Sequence, residues 1–224
     1  MAIARDANST GTSVGFNLTF SHTCSGSDRI LLVGITTYAG AGGDNVSTVT
    51  YNGVAMTRIN TEQAGTSTPR GYLYYLINPS TGANDISISC PASGTILAVS
   101  SSYTGAKQSG QPDAENSNSL TTGTSQTESV TTIDDNCWLV GWLITNNGSN
   151  PTAGAGTSIV FNETASGQTN NTFIDSNGAK TPAGSHSLNI TWTGSTRNAL
   201  MIASIAPSVA AAAPRRLLLL GVGT

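Results

Sequence analysis

The chain has 224 residues, only 9% of them Asp, Glu, Lys or Arg, and a formal net charge of −3, where an ordinary soluble domain is about a quarter charged. That balance offers no basic footprint for nucleic acid, and the scarcity of titratable groups speaks against acid–base catalysis, which needs them gathered in one place. No run approaches the roughly 20 apolar residues of a membrane helix, and the opening MAIARDANSTGTS has neither the basic start nor the apolar core of a secretory signal.

Period-two alternation between Gly, Pro, Asn and Asp clusters predicts strands throughout and no helix. The first covers residues 13–20, where Val14, Phe16, Leu18 and Phe20 alternate as in a strand with one wet face. Strands over 29–38, 46–51 and 54–59 follow. Between the last two, Asn52-Gly53 stands between apolar runs, a strong hairpin signal. Next come 71–77, 85–90 and 95–103. The polar stretch 105–128 reads as a linker or as a loop crossing between sheets. A second series then covers 129–132, 137–145, 157–161, 172–175, 187–193 and 199–206.

The second series echoes the first in order. Gly11-Thr12-Ser13 returns as Gly123-Thr124-Ser125, and the phrase from Asp28 to Gly34 as that from Asp135 to Gly141. Gly82 to Ile88 returns as Gly184 to Ile190, and Ile96 to Ser100 as Ala199 to Ala203. The chain is therefore read as all-β: an antiparallel β-sandwich, jelly-roll-like, with two internally related halves at about 11–104 and 123–207. The halves form either one sandwich over 1–207 or two small ones of immunoglobulin size. One sandwich is favoured, because the second half holds fewer predicted strands.

Gly11-Thr12-Ser13-Val14-Gly15 fits the G-x-S-x-G pattern, but a serine-hydrolase elbow needs a strand before it and a helix after it. Here a disordered-looking terminus precedes and a strand follows, so no catalytic residue is assigned. Asp113 and Glu115 are the calcium candidates, set against the default reading of Asp and Asn as turn residues that cap backbone N–H groups. No metal or other cofactor is expected. Cys24, Cys90 and Cys137 form no C-x-x-C pair and are read as three buried thiols rather than one disulfide and a leftover. Trp138 and Trp142 share one strand face, and Tyr72 and Tyr74 another. Either pair, if exposed, would make a platform for sugars, although an aromatic in an apolar strand is more often core.

After Pro207 the composition changes to an alanine run, Pro214, Arg215 and Arg216, and then Leu217, Leu218, Leu219 and Leu220. Each leucine left in water forgoes roughly 1.5–3 kcal/mol of burial. The segment 208–224 is accordingly read as an assembly arm that docks on a neighbouring subunit.

The phrases from Val49 to Thr57 and from Tyr75 to Asn84, with Ser102-Tyr103-Thr104-Gly105-Ala106 and Gln111-Pro112, resemble β-sandwich surface modules of bacteriophage structural proteins. The resemblance spans roughly 11–207 and brings no functional residues with it. It implies a non-enzymatic virion protein, such as a capsid decoration or tail appendage. Such a protein is made in the host cytoplasm, is extracellular after release, and has as partners other copies of itself and other virion proteins, not nucleic acid or membrane. The alternative is a carbohydrate-binding or adhesin module that meets cell-surface glycans.

Overall fold

A computed structural model describes residues 1–39, 43–66, 68–147, 149–165 and 169–208. The tail residues Arg215, Arg216, Leu217, Leu218, Leu219 and Leu220 lie outside these. All regular elements among the described residues are strands. The first half contains β1 (Ala4–Cys24), β2 (Ile30–Tyr38), β3 (Thr48–Tyr51), β4 (Val54–Ala55), β5 (Thr57–Gln63), β6 (Arg70–Ile77) and β7 (Gly82–Thr104). The second contains β8 (Ala114–Leu120), β9 (Ser125–Thr131), β10 (Trp138–Thr145), β11 (Ser149–Ala153), β12 (Ser158–Ala165), β13 (Thr169–Asp175), β14 (Ser185–Thr193) and β15 (Asn198–Ile205).

The Asn-Gly hairpin forms as its residues dictate. Asn52 and Gly53 both take positive φ, 49° and 75°, and Tyr51 pairs with Val54, the geometry whose twist matches the flanking strands.

Both halves wind the same way. In the second, one sheet runs β12-β13-β10-β15-β8 and the other β11-β14-β9. In the first, β5-β6-β2 continues onto the C-terminal part of β7, which pairs with the N-terminal part of β1. The N-terminal part of β7 pairs with β3 on one side and with the rest of β1 on the other. Thus β1 and β7 each do the work of two strands, bending from one sheet into the other where the ladder breaks between Gly15 and Asn17.

Four sheet layers result, with three apolar cores between them. Leu18, Val33, Ile35, Tyr72, Ile86 and Ile88 fill the first half. Leu139, Leu143, Ile174, Leu188, Ile190 and Leu200 fill the second. Leu32, Leu73, Leu97 and Val99 meet Val140, Trp142, Phe173 and Met201 between the halves. Each half is thus a sandwich with its own interior, and the second is as rich in strands as the first. The preference for a single sandwich rested on overlooking β8 and β11, whose polar sequences show no apolar alternation. The halves also begin earlier than expected, at β1 and β8, so the stretch 105–128 holds a full strand rather than a linker alone. The residues before Ser13 are likewise strand.

The faces correct the register of the repeat. Leu31, which faces the first interior, corresponds to Leu139, which faces the second, and their partners across the ladder, Ser102 and Ser204, correspond likewise. The sequence match had paired Leu31 with Trp138, one residue away. A slip of one exchanges the two faces of a strand, and here both faces are apolar, so alternation could not reveal it. Gly123-Thr124-Ser125 does not correspond to Gly11-Thr12-Ser13 at all. Ser125 pairs with Thr191 at the place where Asn17 pairs with Ser89.

Candidate assembly surface

The aromatic pairs proposed as a sugar platform are not on the surface. Trp142 and Tyr72 are fully buried and Tyr74 is 6% exposed. The Trp142 indole lies over Gly34, where any Cβ would collide with it, and its N–H donates to the Ile35 carbonyl at 3.1 Å. Tyr72 takes the backbone N–H of Asn45 on its hydroxyl at 2.7 Å. Trp138 is half-buried against the core between the halves, its ring 6.0 Å from that of Tyr103. Strand β10 has no exposed face, because Leu139 and Leu143 on its other side are buried too. These side chains hold the molecule together and cannot stack on a ligand.

Asp113 and Glu115 do not share a site. Asp113 accepts from the backbone N–H groups of Ile133 and Asp134, at 2.8 and 3.2 Å, and from the Ser204 hydroxyl at 3.0 Å. It fixes a turn, as Asp does by default. Glu115 instead accepts from Asn60 of the first half at 2.7 Å. Among the described residues no three His, Cys, Asp or Glu are grouped to hold a metal ion. Cys24, Cys90 and Cys137 are free and buried; burial, with Asp113 beside it, pushes the Cys137 thiol up to about 12.

Two polar clusters escaped the sequence reading. His22, 1% exposed, meets the hydroxyls of Ser100 and Ser9 with the same ring nitrogen, Nδ1, at 2.9 and 3.1 Å. Its Nε2 has no partner. Burial lowers its pKa to about 4, although the nearby Asp6 works in the opposite direction. A base that engages two hydroxyls through one nitrogen inside a closed interior is a packing solution, not a nucleophile pair with an oriented base. In the second cluster, Arg5 of β1 grips the fully buried Asp175 of β13 with two nitrogens, at 2.6 and 2.5 Å. Tyr103 adds a hydroxyl at 3.0 Å and Asn177 a backbone N–H at 2.9 Å. This fork ties the two halves.

One opening lies beside Ser208, the last described residue. It encloses about 620 Å³ between the first three residues, the turn 134–136, Ala179, Pro207 and Ser208. Its parts are well anchored. Ala106 bridges to Pro207, Ser208 donates its N–H to Gly105 at 2.7 Å, and the Met1 nitrogen donates to the Ser208 carbonyl. The turn is held from behind by Asp113 and from the side by Lys107, which pairs with Asp134 at 2.7 Å. Asp135 is exposed on the rim and accepts from the Ala183 N–H. Of the large apolar side chains exposed among the described residues, Met1, at 59%, lines this opening. A second, shallower groove of about 420 Å³ is polar, with Thr50, Asn52, Asn84, Asp85 and Ser87 along it.

The sequence could not announce the first opening, since four separate stretches build it. Comparison with family models, with curated proteins and with solved structures found no match to this chain.

Proposed function

We propose that the chain is a non-enzymatic building block of a virion surface, a capsid decoration or tail appendage that assembles through its sheet faces and the segment after Pro207. The observation that carries this reading is the winding. In the second half β12, β13, β10, β15 and β8 lie side by side and β11, β14 and β9 form the facing sheet, and the first half repeats this order when its bent strands β1 and β7 are each divided at the bend. That order resembles the interleaving of a jelly roll, a double-sheet form that recurs in viral capsid and lectin domains, with β12 added to the larger sheet rather than to the facing one. Its duplication gives a rigid block. The hydroxyl- and amide-rich surface supports the same reading, because it meets other proteins without charge that must be stripped of water.

Antibodies raised against the chain should label intact virus particles of its source. Labelling confined to particle-free host cytoplasm would end the proposal. Removing residues 209–224 should convert an assembling chain into a soluble monomer, read by sedimentation velocity.

A second reading, a carbohydrate-binding module, is favoured by the polar groove along Thr50, Asn52, Asn84, Asp85 and Ser87. Amides, hydroxyls and one carboxylate are the groups that meet sugar hydroxyls. A glycan array should then give binding that Asp85→Ala and Asn52→Ala abolish. An array on which both variants bind as the parent does would exclude this groove.

A further inference from the structure

We infer that the opening between Met1, Asp135 and Ala179 is the receptor for the leucine run, Leu217 to Leu220, of a second copy of this chain. The inference rests on the assembly reading above and gives that reading an address. Three observations converge on it. Ser208, the last described residue, itself lines the opening, nine positions before the first leucine of the run. The opening is also lined by Met1, an exposed apolar side chain. On its rim the exposed Asp135 carries a carboxylate with no cationic side chain paired to it among the described residues, while Asp134 has Lys107. Arg215 and Arg216 precede the leucines directly, so leucines in the opening bring guanidinium groups to that rim, where carboxylate and fork-shaped donor match.

The occupant is a neighbour's segment rather than the chain's own. The ten residues from Ser208 to Leu217, nine steps along the chain, reach about 30 Å when extended. They contain no Gly, Asn or Asp, the residues that most readily reverse a chain by adopting positive φ. A return to an opening that the segment's own root already lines requires the chain to reverse within this short span, where Ser208 and Pro214 are the turn-forming residues. Reaching the equivalent opening of an adjacent copy does not. Exchange between identical openings is self-complementary and closes on itself.

The test mixes two full-length variants, one carrying Ala179→Cys and the other Leu218→Cys. The native thiols are buried and give little background. Mild oxidation should link the two chains covalently, and a control pair with Val54→Cys in place of Ala179→Cys should not link. Filling the opening with Ala179→Trp should weaken self-association at least about tenfold, equivalent to some 1.4 kcal/mol, and Asp135→Lys should weaken it further at low salt than at high salt. A doubly substituted chain that closes its disulfide internally and stays monomeric would overturn the exchange. Assembly that needs residues 209–224 but ignores Ala179→Trp and yields no link would place the receptor elsewhere and leave the assembly reading standing. Assembly unchanged by removal of 209–224 would overturn both.

Discussion

In the first half, β1 and β7 each pass through both sheets without a break, over 21 and 23 residues. In the second half the same path is cut twice, at residues 121–124 between β8 and β9 and at 194–197 between β14 and β15. One winding is therefore closed by a continuous bent ribbon in one copy and by loops in the other. The ribbon demands small residues on its inner side. Ser9, Gly11 and Ser13 occupy it, and a Cβ on Gly11 would lie 2.7 Å from the Phe20 ring. It also bends so sharply that Val14 and Phe16, in step with Leu18, end up in solvent. The ladder shift between Gly15 and Asn17 turns them away from the interior. The continuous corner also encloses polar groups of its own. His22 is the clearest of them; its place in the second half is taken by Val130, buried among aliphatic side chains.

The largest break in this comparison comes from treating the halves as separable. Trp142→Ala removes the indole that sits on Gly34 and should cost about 3–5 kcal/mol. Because that indole belongs to the core between the halves, urea unfolding should shift as a single transition. Two resolved transitions, with only the second half weakened, would show that the halves fold independently.

Replacing the first half's solution by the second's is the next test. With its pKa lowered to about 4, His22 binds its proton more readily in the unfolded chain, where the ordinary value is near 6.5. Its contribution is therefore complete above pH 6.5 and lost as pH falls toward 4, about 3 kcal/mol in all. His22→Val should flatten the acid limb of stability over that range. A parent and variant with parallel limbs between pH 7 and pH 4 would show that the histidine is not the source.

Arg5→Met leaves Asp175 buried with Tyr103 and Asn177 as its donors among the described residues. About 2 kcal/mol should be lost, in the range for hydrogen bonds to a charged group. The loss should be insensitive to salt because Asp175 is fully buried. Smallest of all, Phe16→Ser at the exposed bend should move the unfolding midpoint by no more than about 0.5 kcal/mol. A larger loss would mean that something covers the bend.

Much of the all-β character was legible in residue order, and so was the Asn52-Gly53 hairpin, because turn chemistry and alternation are local. β8 was not, since Ala114-Glu115-Asn116-Ser117-Asn118-Ser119-Leu120 is an edge strand whose hydrogen bonds to β15 fix it without an apolar stripe. The repeat was legible in order but not in register, because Val33-Gly34 and Val140-Gly141 look alike while facing opposite ways. The candidate surface divides similarly. The leucine run is conspicuous in sequence, whereas its proposed receptor joins Met1, Asp135, Ala179 and Pro207, which only the folded chain brings together. Tyr72, Tyr74, Trp138 and Trp142 misled for the same reason: sequence pairs them on a face without saying what lies opposite.

The sheet of β10, β13 and β15 is apolar on both sides, and that ties the fate of the two copies together. Cutting the chain between them, near residue 108, would give two fragments, each with a bare hydrophobic wall where Trp142 now meets Gly34. Neither fragment could circulate as a soluble module. Whatever event doubled the ancestral unit, the copies have since become obligate companions that can change only in concert along that wall, while their outer sheets remain at liberty to diverge.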